Sequence, residues 1–216
     1  MENKYYNIKD NCRKGLIKHL LKAISSIQTI DSPFVLDAGC GTGVPAIALT
    51  LNNSANVVAV DIDTNALNQL KRKIETANLT KQITTINCSV YDLNLQENTF
   101  DIILAEGLLN EIGFRKGFQH LVKLLKRNGH FIIHDEYRNH NKKIEFIENN
   151  NCKVLDSYKL DDHVWWNDYY KGLEKEIYSP DNSDVLNLFS KELQEIRSFK
   201  KDPSQYNSIY YIIKKT

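Results

Sequence analysis

Three glycines in five residues, Gly39, Gly41 and Gly43, follow the apolar run Phe34-Val35-Leu36 and precede a second apolar segment at 44–51. Glycine lets bare backbone approach a ligand, and a tight turn between a first strand and a helix is where such an approach is used. A pyrophosphate loop spaces its glycines as GxGxxG. This loop is one residue shorter, GxGxG, and position 44 is valine. The shorter spacing suits a ligand without a pyrophosphate. Asp61 closes the run Val57-Val58-Ala59-Val60, 18 residues past Gly43. A carboxylate there can accept both hydroxyls of a ribose. The other role open to Asp61 is to cap the helix that begins near Asp63.

A second set of polar groups stands at the ends of later apolar runs. Glu106 follows 100–105, Asn110 and Glu111 come a turn later, and His134, Asp135 and Glu136 end the run at 130–134. Open α/β sheets bind ligands at the carboxyl ends of their strands, so these side chains are candidates for proton transfer or acceptor contact. Glu106 and His134 are the candidate bases. Glu106 has a simpler alternative as a cofactor contact or helix cap, and His134 and Glu136 have one as ordinary strand-end polarity. Neighbouring strand residues face opposite ways, so His134 and Asp135 do not meet on one ion, and no metal is expected. Trp165 and Trp166 cannot both lie on one narrow helical stripe. One packs inward; the other is free to close over a site, where an aromatic wall favours a cationic amine. The acceptor contacts expected are Asn110, Glu136, His163, Trp166 and Tyr169.

These side chains must be carried by an alternating scaffold. Apolar residues at steps of three or four predict a helix over 7–30, ended by Asp31, Ser32 and Pro33. Strands are expected at 34–36, 56–60, 83–87, 100–105, 130–134 and 152–160, and helices at 44–51, 63–78, 114–126 and 142–149. Residues 161–203 are aromatic-rich, then helical, and 206–213 form a last strand apolar on both faces. The pattern predicts an α/β fold: a seven-stranded, mostly parallel, doubly wound sheet, last strand antiparallel, with helices on both faces. One domain accounts for 1–216: an N-terminal helical segment at 1–32 with Tyr5 and Tyr6 as a lid, a core at 33–160, a substrate-side insertion at 161–203, and a final strand at 204–216.

Composition narrows the partners. Among 216 residues, 28 basic and 27 acidic side chains give a net charge of +1, which supplies no overall field for nucleic acid or an anionic membrane. The polar N-terminus lacks the apolar core of a secretory signal, and no run approaches a membrane span. Four cysteines, Cys12, Cys40, Cys88 and Cys152, are scattered without metal-ligand spacing, as expected for reduced thiols in a cytoplasmic protein.

Together the stretches VLDAGCGTG at 35–43, VVAVDID at 57–63, TFDIILAEG at 99–107 and LLKRNGHFIIHDE at 124–136 resemble class I S-adenosylmethionine-dependent methyltransferases. The resemblance covers about 30–160, in the family's order and spacing. It implies S-adenosylmethionine as cofactor, S-adenosylhomocysteine as product, and methyl transfer to a small molecule. By the same resemblance Gly39, Cys40, Gly41 and Gly43 line the cofactor, and Asp37 orders the loop and holds the cofactor's amino group through water. Asp61 takes the ribose, Ile62 packs on the adenine, and Ala105 and Glu106 sit at the methionine end. Many relatives carry Asp-Ala at the adenine edge where this chain has Ser89-Val90, so Ser89 is assigned that contact, with Asp92 as second choice. EGLLNEIGF at 106–114 and HVWWNDYY at 163–170 resemble a subgroup of uncharacterised small-molecule methyltransferases. No Asn- or Asp-Pro-Pro-aromatic tetrapeptide occurs, which lowers a nucleic-acid substrate. The alternatives are a protein or RNA methyltransferase, a non-catalytic partner subunit of the same fold, and a nicotinamide-dependent oxidoreductase.

Overall fold

The computed structural model describes residues 2–216. Helices α1 (Glu2–Arg13) and α2 (Ile17–Ser25) come first, separated by a 3-10 turn at Lys14–Leu16. The single helix expected over 7–30 is therefore two pieces, starting earlier and ending sooner. Gly15 lies in the break. A Cβ there would stand 2.2 Å from the carbonyl oxygen of Asp168, so the missing side chain admits another segment against the backbone.

The alternating body follows: β1 (Phe34–Ala38), α3 (Val44–Asn53), β2 (Asn56–Asp61), α4 (Thr64–Thr76), β3 (Ile83–Asn87), β4 (Phe100–Glu106), α5 (Leu109–Ile112), α6 (Phe114–Leu121), β5 (Leu125–Glu136), α7 (His140–Glu148) and β6 (Cys152–Leu160). Then α8 (Asp162–Trp165) runs through a π-helical stretch, Trp166–Tyr170, into α9 (Lys171–Ile177). A 3-10 segment at Pro180–Phe189 leads to α10 (Ser190–Lys201), and β7 (Ser208–Lys215) ends the sheet.

The seven strands lie in the order β3-β2-β1-β4-β5-β7-β6. Pairings from β3 to β5 are parallel, and β7 runs antiparallel to both β5 and β6. The expected sheet is the observed one. β7 is flanked on both edges, and Ser208 through Ile213 are all buried, which explains a run apolar on both faces. One core cluster, with Leu49, Leu67 and Leu70, covers one face of the sheet. Another, with Phe118, Leu121 and Ile147, covers the other.

β5 differs from expectation. The helix expected to reach residue 126 stops at Leu121, a 3-10 turn follows, and the strand begins at Leu125. Sheet pairing takes the chain over: Leu125 pairs with Phe100, and the amide of Thr99 donates to the Leu124 carbonyl at 2.8 Å. The register then shifts before Ile102 pairs with His130.

A third cluster gathers Ile8 of α1 with Tyr169, Tyr170, Leu173, Phe189, Ile196 and Phe199. The N-terminal helix and the insertion thus share one helical lobe. Tyr5 hydrogen-bonds Glu192 at 2.7 Å and packs on Phe189. From the same helix, the buried Asp10 accepts the Thr42 hydroxyl in the glycine loop and pairs with Lys73 of α4. Lys73 also donates to the Thr42 carbonyl at 2.8 Å. Gln69 of α4 reaches Asn3 at 2.6 Å. Helix α1 is therefore anchored to the loop as well as to the lobe. Among the described residues no helix is long and apolar enough to cross a membrane.

Candidate active site

The chain winds from β1 outward through β2 to β3, then returns to β4 and β5 on the other side. Between β1 and β4 the winding direction reverses, and at their carboxyl ends such a sheet opens a crevice. The glycine loop starts there. The amides of Gly39 and Cys40 both donate to the Val60 carbonyl, at 2.8 and 3.0 Å. The amide of Gly41 donates to Asp61 Oδ2 at 2.6 Å, and that of Asp63 to Oδ1 at 2.8 Å. Loop and acid are thus joined. A carboxylate has about four lone-pair positions, so each Asp61 oxygen keeps room for a ribose hydroxyl. Helix α4 is capped by Asp63, which accepts from Asn65 and Ala66; the simpler role weighed for Asp61 belongs to its neighbour. Asn87 holds the backbone beside Asp61, donating to the carbonyls of Asp61 and Ile62 at 3.0 and 3.1 Å. Ile62 is 72% exposed, an apolar face without protein cover.

Gly43 has φ +73°, and a Cβ on it would lie 2.2 Å from Leu70 Cδ1. Gly41 has φ +53° with nothing near its absent Cβ, so its face is left open.

A cavity of about 550 Å³ opens beside the loop, walled by Asp37, Gly39 and Cys40 from β1 and its loop, Glu106 from β4 and His134 from β5. The insertion and β7 supply Trp165, Tyr170 and Tyr210. A second cavity of about 440 Å³ lies by α2 and the start of β1, lined by Ile24, Ile27 and Pro33, away from every polar group singled out above.

Asp37 is 1% exposed, and its Oδ2 has no hydrogen-bond partner among the described residues. Burial, reinforced by Glu106 and Asp61, pushes its pKa up to about 8, against a backbone amide from Ala46 and the charge of Arg13. Burial also raises Glu106, with the Tyr210 hydroxyl and Arg13 opposing. Tyr210 donates to Glu106 Oε1, leaving Oε2 for a ligand.

His134 is built into a wall of rings. It stacks on Tyr210 at 4.3 Å and 1°, and on Trp165 at 5.7 Å, while Tyr158 stacks on the far side of Tyr210 at 5.2 Å. Burial, then the charges of His19 and Arg13, push its pKa down to about 3, so it is neutral. Trp165 Nε1 donates to Ser208 Oγ at 3.0 Å, and Ser208 Oγ lies 2.8 Å from His134 Nε2. An indole N–H only donates. A hydroxyl oxygen has two lone pairs besides its proton, so Ser208 accepts from the indole and holds Nε2 in either imidazole tautomer. Nε2 is engaged, so the geometry favours His134 as wall over His134 as base. Asp135 points elsewhere, to Lys143 at 2.6 Å.

Asp37, Gly39, Cys40, Glu106, His134, Asn110 and Glu136 therefore meet at one cavity. Gly41, Gly43, Asp61, Ile62, Ser89 and Val90 lie outside its wall, on the loop and the adjoining ends of β2 and β3. Ser89 Oγ accepts the Tyr91 amide at 3.2 Å, and Val90 is buried. Three expected acceptor contacts are not in the wall. His163 is exposed, Trp166 stacks on Phe199 in the lobe at 5.9 Å, and Tyr169 is buried there. Trp165 and Tyr170 occupy the wall instead. Sequence reasoning also missed Arg13 of α1, Glu195 of α10, and Ser208 and Tyr210 of β7, since nothing local to elements so far apart in the chain signals which crevice they will face.

Residues 35–129 match the family described as a methyltransferase domain. Ribosomal protein L11 methyltransferase of Pelobacter propionicus is 37% identical over 81 residues, covering 38% of this chain and 25% of that protein. The crystal structure of the [4+2]-cyclase SpnF superposes with a TM-score of 0.75 at 13% identity, covering 91% of this chain and 80% of that one. Haemonchus contortus phosphoethanolamine N-methyltransferase 2, in complex with S-adenosyl-L-methionine, superposes with a TM-score of 0.73 at 14% identity, covering 92% and 52%. The chain spans about a quarter of its L11 methyltransferase relative. The resemblance read from the motifs, and the fold it implies, both hold.

Proposed function

We propose that this chain, whose residues 35–129 match a methyltransferase domain and whose sheet is that of the class I enzymes, moves the methyl group of S-adenosylmethionine to a small-molecule acceptor. One observation carries the reading. A glycine loop hydrogen-bonded to the acid that ends β2 lies beside a cavity at the reversal between β1 and β4. The residues fit the cofactor: Asp37 Oδ2 is buried and unsatisfied, and a cationic amino group would satisfy it. Asp61 would take the ribose, Ile62 the adenine face, and Ser89 the adenine edge.

Bound there, S-adenosylmethionine supplies a methyl group activated on a sulfonium. The chain supplies position and dryness: the cavity walls orient an acceptor and exclude water, which can account for much of the acceleration. Glu106 is the group placed to take a proton. Fold alone does not fix the reaction, as the cyclase with the same fold illustrates. A cavity of about 550 Å³ suits a small molecule, and this favours the small-molecule reading over protein or RNA. Calorimetry tests the proposal. S-adenosylhomocysteine should bind, and Asp61→Ala should weaken it by about 100-fold, two lost charge-assisted hydrogen bonds. Equal affinity in variant and parent removes the ribose assignment; no binding to the parent removes the proposal.

A further inference from the structure

The wall of the cavity is acidic beyond what the cofactor requires. Asp135 is matched by Lys143 at 2.6 Å. In the reading above, Asp37 answers the cofactor's amino group. Glu106, Glu111, Glu136 and Glu195 remain in the wall, none in an ion pair among the described residues, against the two guanidinium groups of Arg13 and Arg138. Two of the four carboxylates accept a tyrosine hydroxyl, Glu106 from Tyr210 and Glu195 from Tyr170. Trp165, Tyr170 and Tyr206 stand in the same wall. Ring faces and carboxylates both attract a cation and both disfavour an anion.

We infer that the acceptor is a small cationic amine, seated between the carboxylate of Glu106 and the aromatic wall headed by Trp165. This rests on the methyltransferase reading and names its substrate class. A phenolate or carboxylate acceptor would meet like charge on several sides. An ammonium cannot attack until it loses a proton. Glu106 Oε2 takes that proton from the nitrogen, and the electron pair of the broken N–H bond stays on nitrogen; as that pair forms the new N–C bond, the methyl carbon's bond to sulfur breaks with its pair on sulfur, S-adenosylhomocysteine leaves, and the carboxylic acid returns the proton to solvent. Tyr210, bonded to Oε1, fixes the orientation of the carboxylate.

The test separates charge from shape. In a Trp166→Phe background Trp165 is the only tryptophan, so its fluorescence reports on the cavity. Choline is titrated against its neutral isostere 3,3-dimethylbutan-1-ol, with and without saturating S-adenosylhomocysteine. Choline should change the fluorescence saturably and bind about tenfold or more tightly than the alcohol. Glu106→Gln should weaken choline by about tenfold and leave the alcohol unchanged. Equal binding of the two, or no saturable response to choline, overturns the inference, and that comparison in the parent needs no Glu106 variant to fold. S-adenosylhomocysteine binding is measured separately by calorimetry, so failure of the cofactor reading is distinct from indifference to charge.

Discussion

Asp37 should cost the free protein stability, and Asp37→Asn should recover it while weakening cofactor binding. Burial holds its pKa at about 8 in the folded chain, against 3.8 as the ordinary value. Above the lower value the unfolded chain ionises at this residue while the folded chain stays protonated. The contribution of this residue to native stability is therefore fully present below about pH 4 and is lost as pH rises toward about 8. At about 1.4 kcal/mol for each unit, that span sets a ceiling of about 6 kcal/mol. Relaxation and local water reduce it; a third of the ceiling, about 2 kcal/mol, corresponds to about 4–8 °C in Tm for a chain of this size. Asparagine keeps an oxygen for the Ala46 amide and removes the ionisation. Thermal unfolding by circular dichroism at pH 5 and pH 8 should show the advantage of the variant growing by several degrees between the two. S-adenosylhomocysteine should raise the Tm of the parent more than that of the variant, since its amino group meets the ionised form. Parallel melting curves, or equal destabilisation of the variant at both pH values, would refute the reasoning.

Gly43→Ala should abolish cofactor binding by calorimetry, because its φ of +73° and the 2.2 Å approach to Leu70 force the loop to move, whereas Gly41→Ala meets no neighbour and should retain more affinity. Asp10→Ala leaves Lys73 and Thr42 without their buried partner. It should cost about 2–3 kcal/mol in chemical unfolding, allowing for the part-exposed lysine, with faster hydrogen exchange at residues 39–43. Ile62→Ala should leave Tm unchanged, the side chain being 72% exposed, yet weaken S-adenosylhomocysteine by roughly fivefold through lost apolar contact.

The nucleotide half of the site was legible because it is local. The strand, the glycine loop and Asp61 lie within 28 residues, and their spacing is set by one strand-helix-strand unit. The acceptor half was not, because it is assembled from distant parts. Arg13 comes from the N-terminal helix, Trp165 from the insertion, and Ser208 and Tyr210 from the last strand. Trp165 and Trp166 separate as a helical stripe requires, but with roles exchanged: Trp165 stands in the cavity wall and Trp166 stacks on Phe199. A helical period carries no signal of which side of the helix the cavity lies on. The 3-10 turn around Gly15 kept the apolar spacing of 7–30 going through a break. The start of β5 was hidden because Leu124 and Leu125 suit a helical stripe as well as a strand edge; pairing with β4 decided it.

The most direct measurement is a crystal structure with S-adenosylhomocysteine at saturation. The ribose hydroxyls should lie on Asp61, the amino group on Asp37, and the sulfur should turn toward the space between Glu106 and Trp165. Electron density for the nucleoside elsewhere on the sheet, or a turned-away sulfur with protein filling that space, would contradict it.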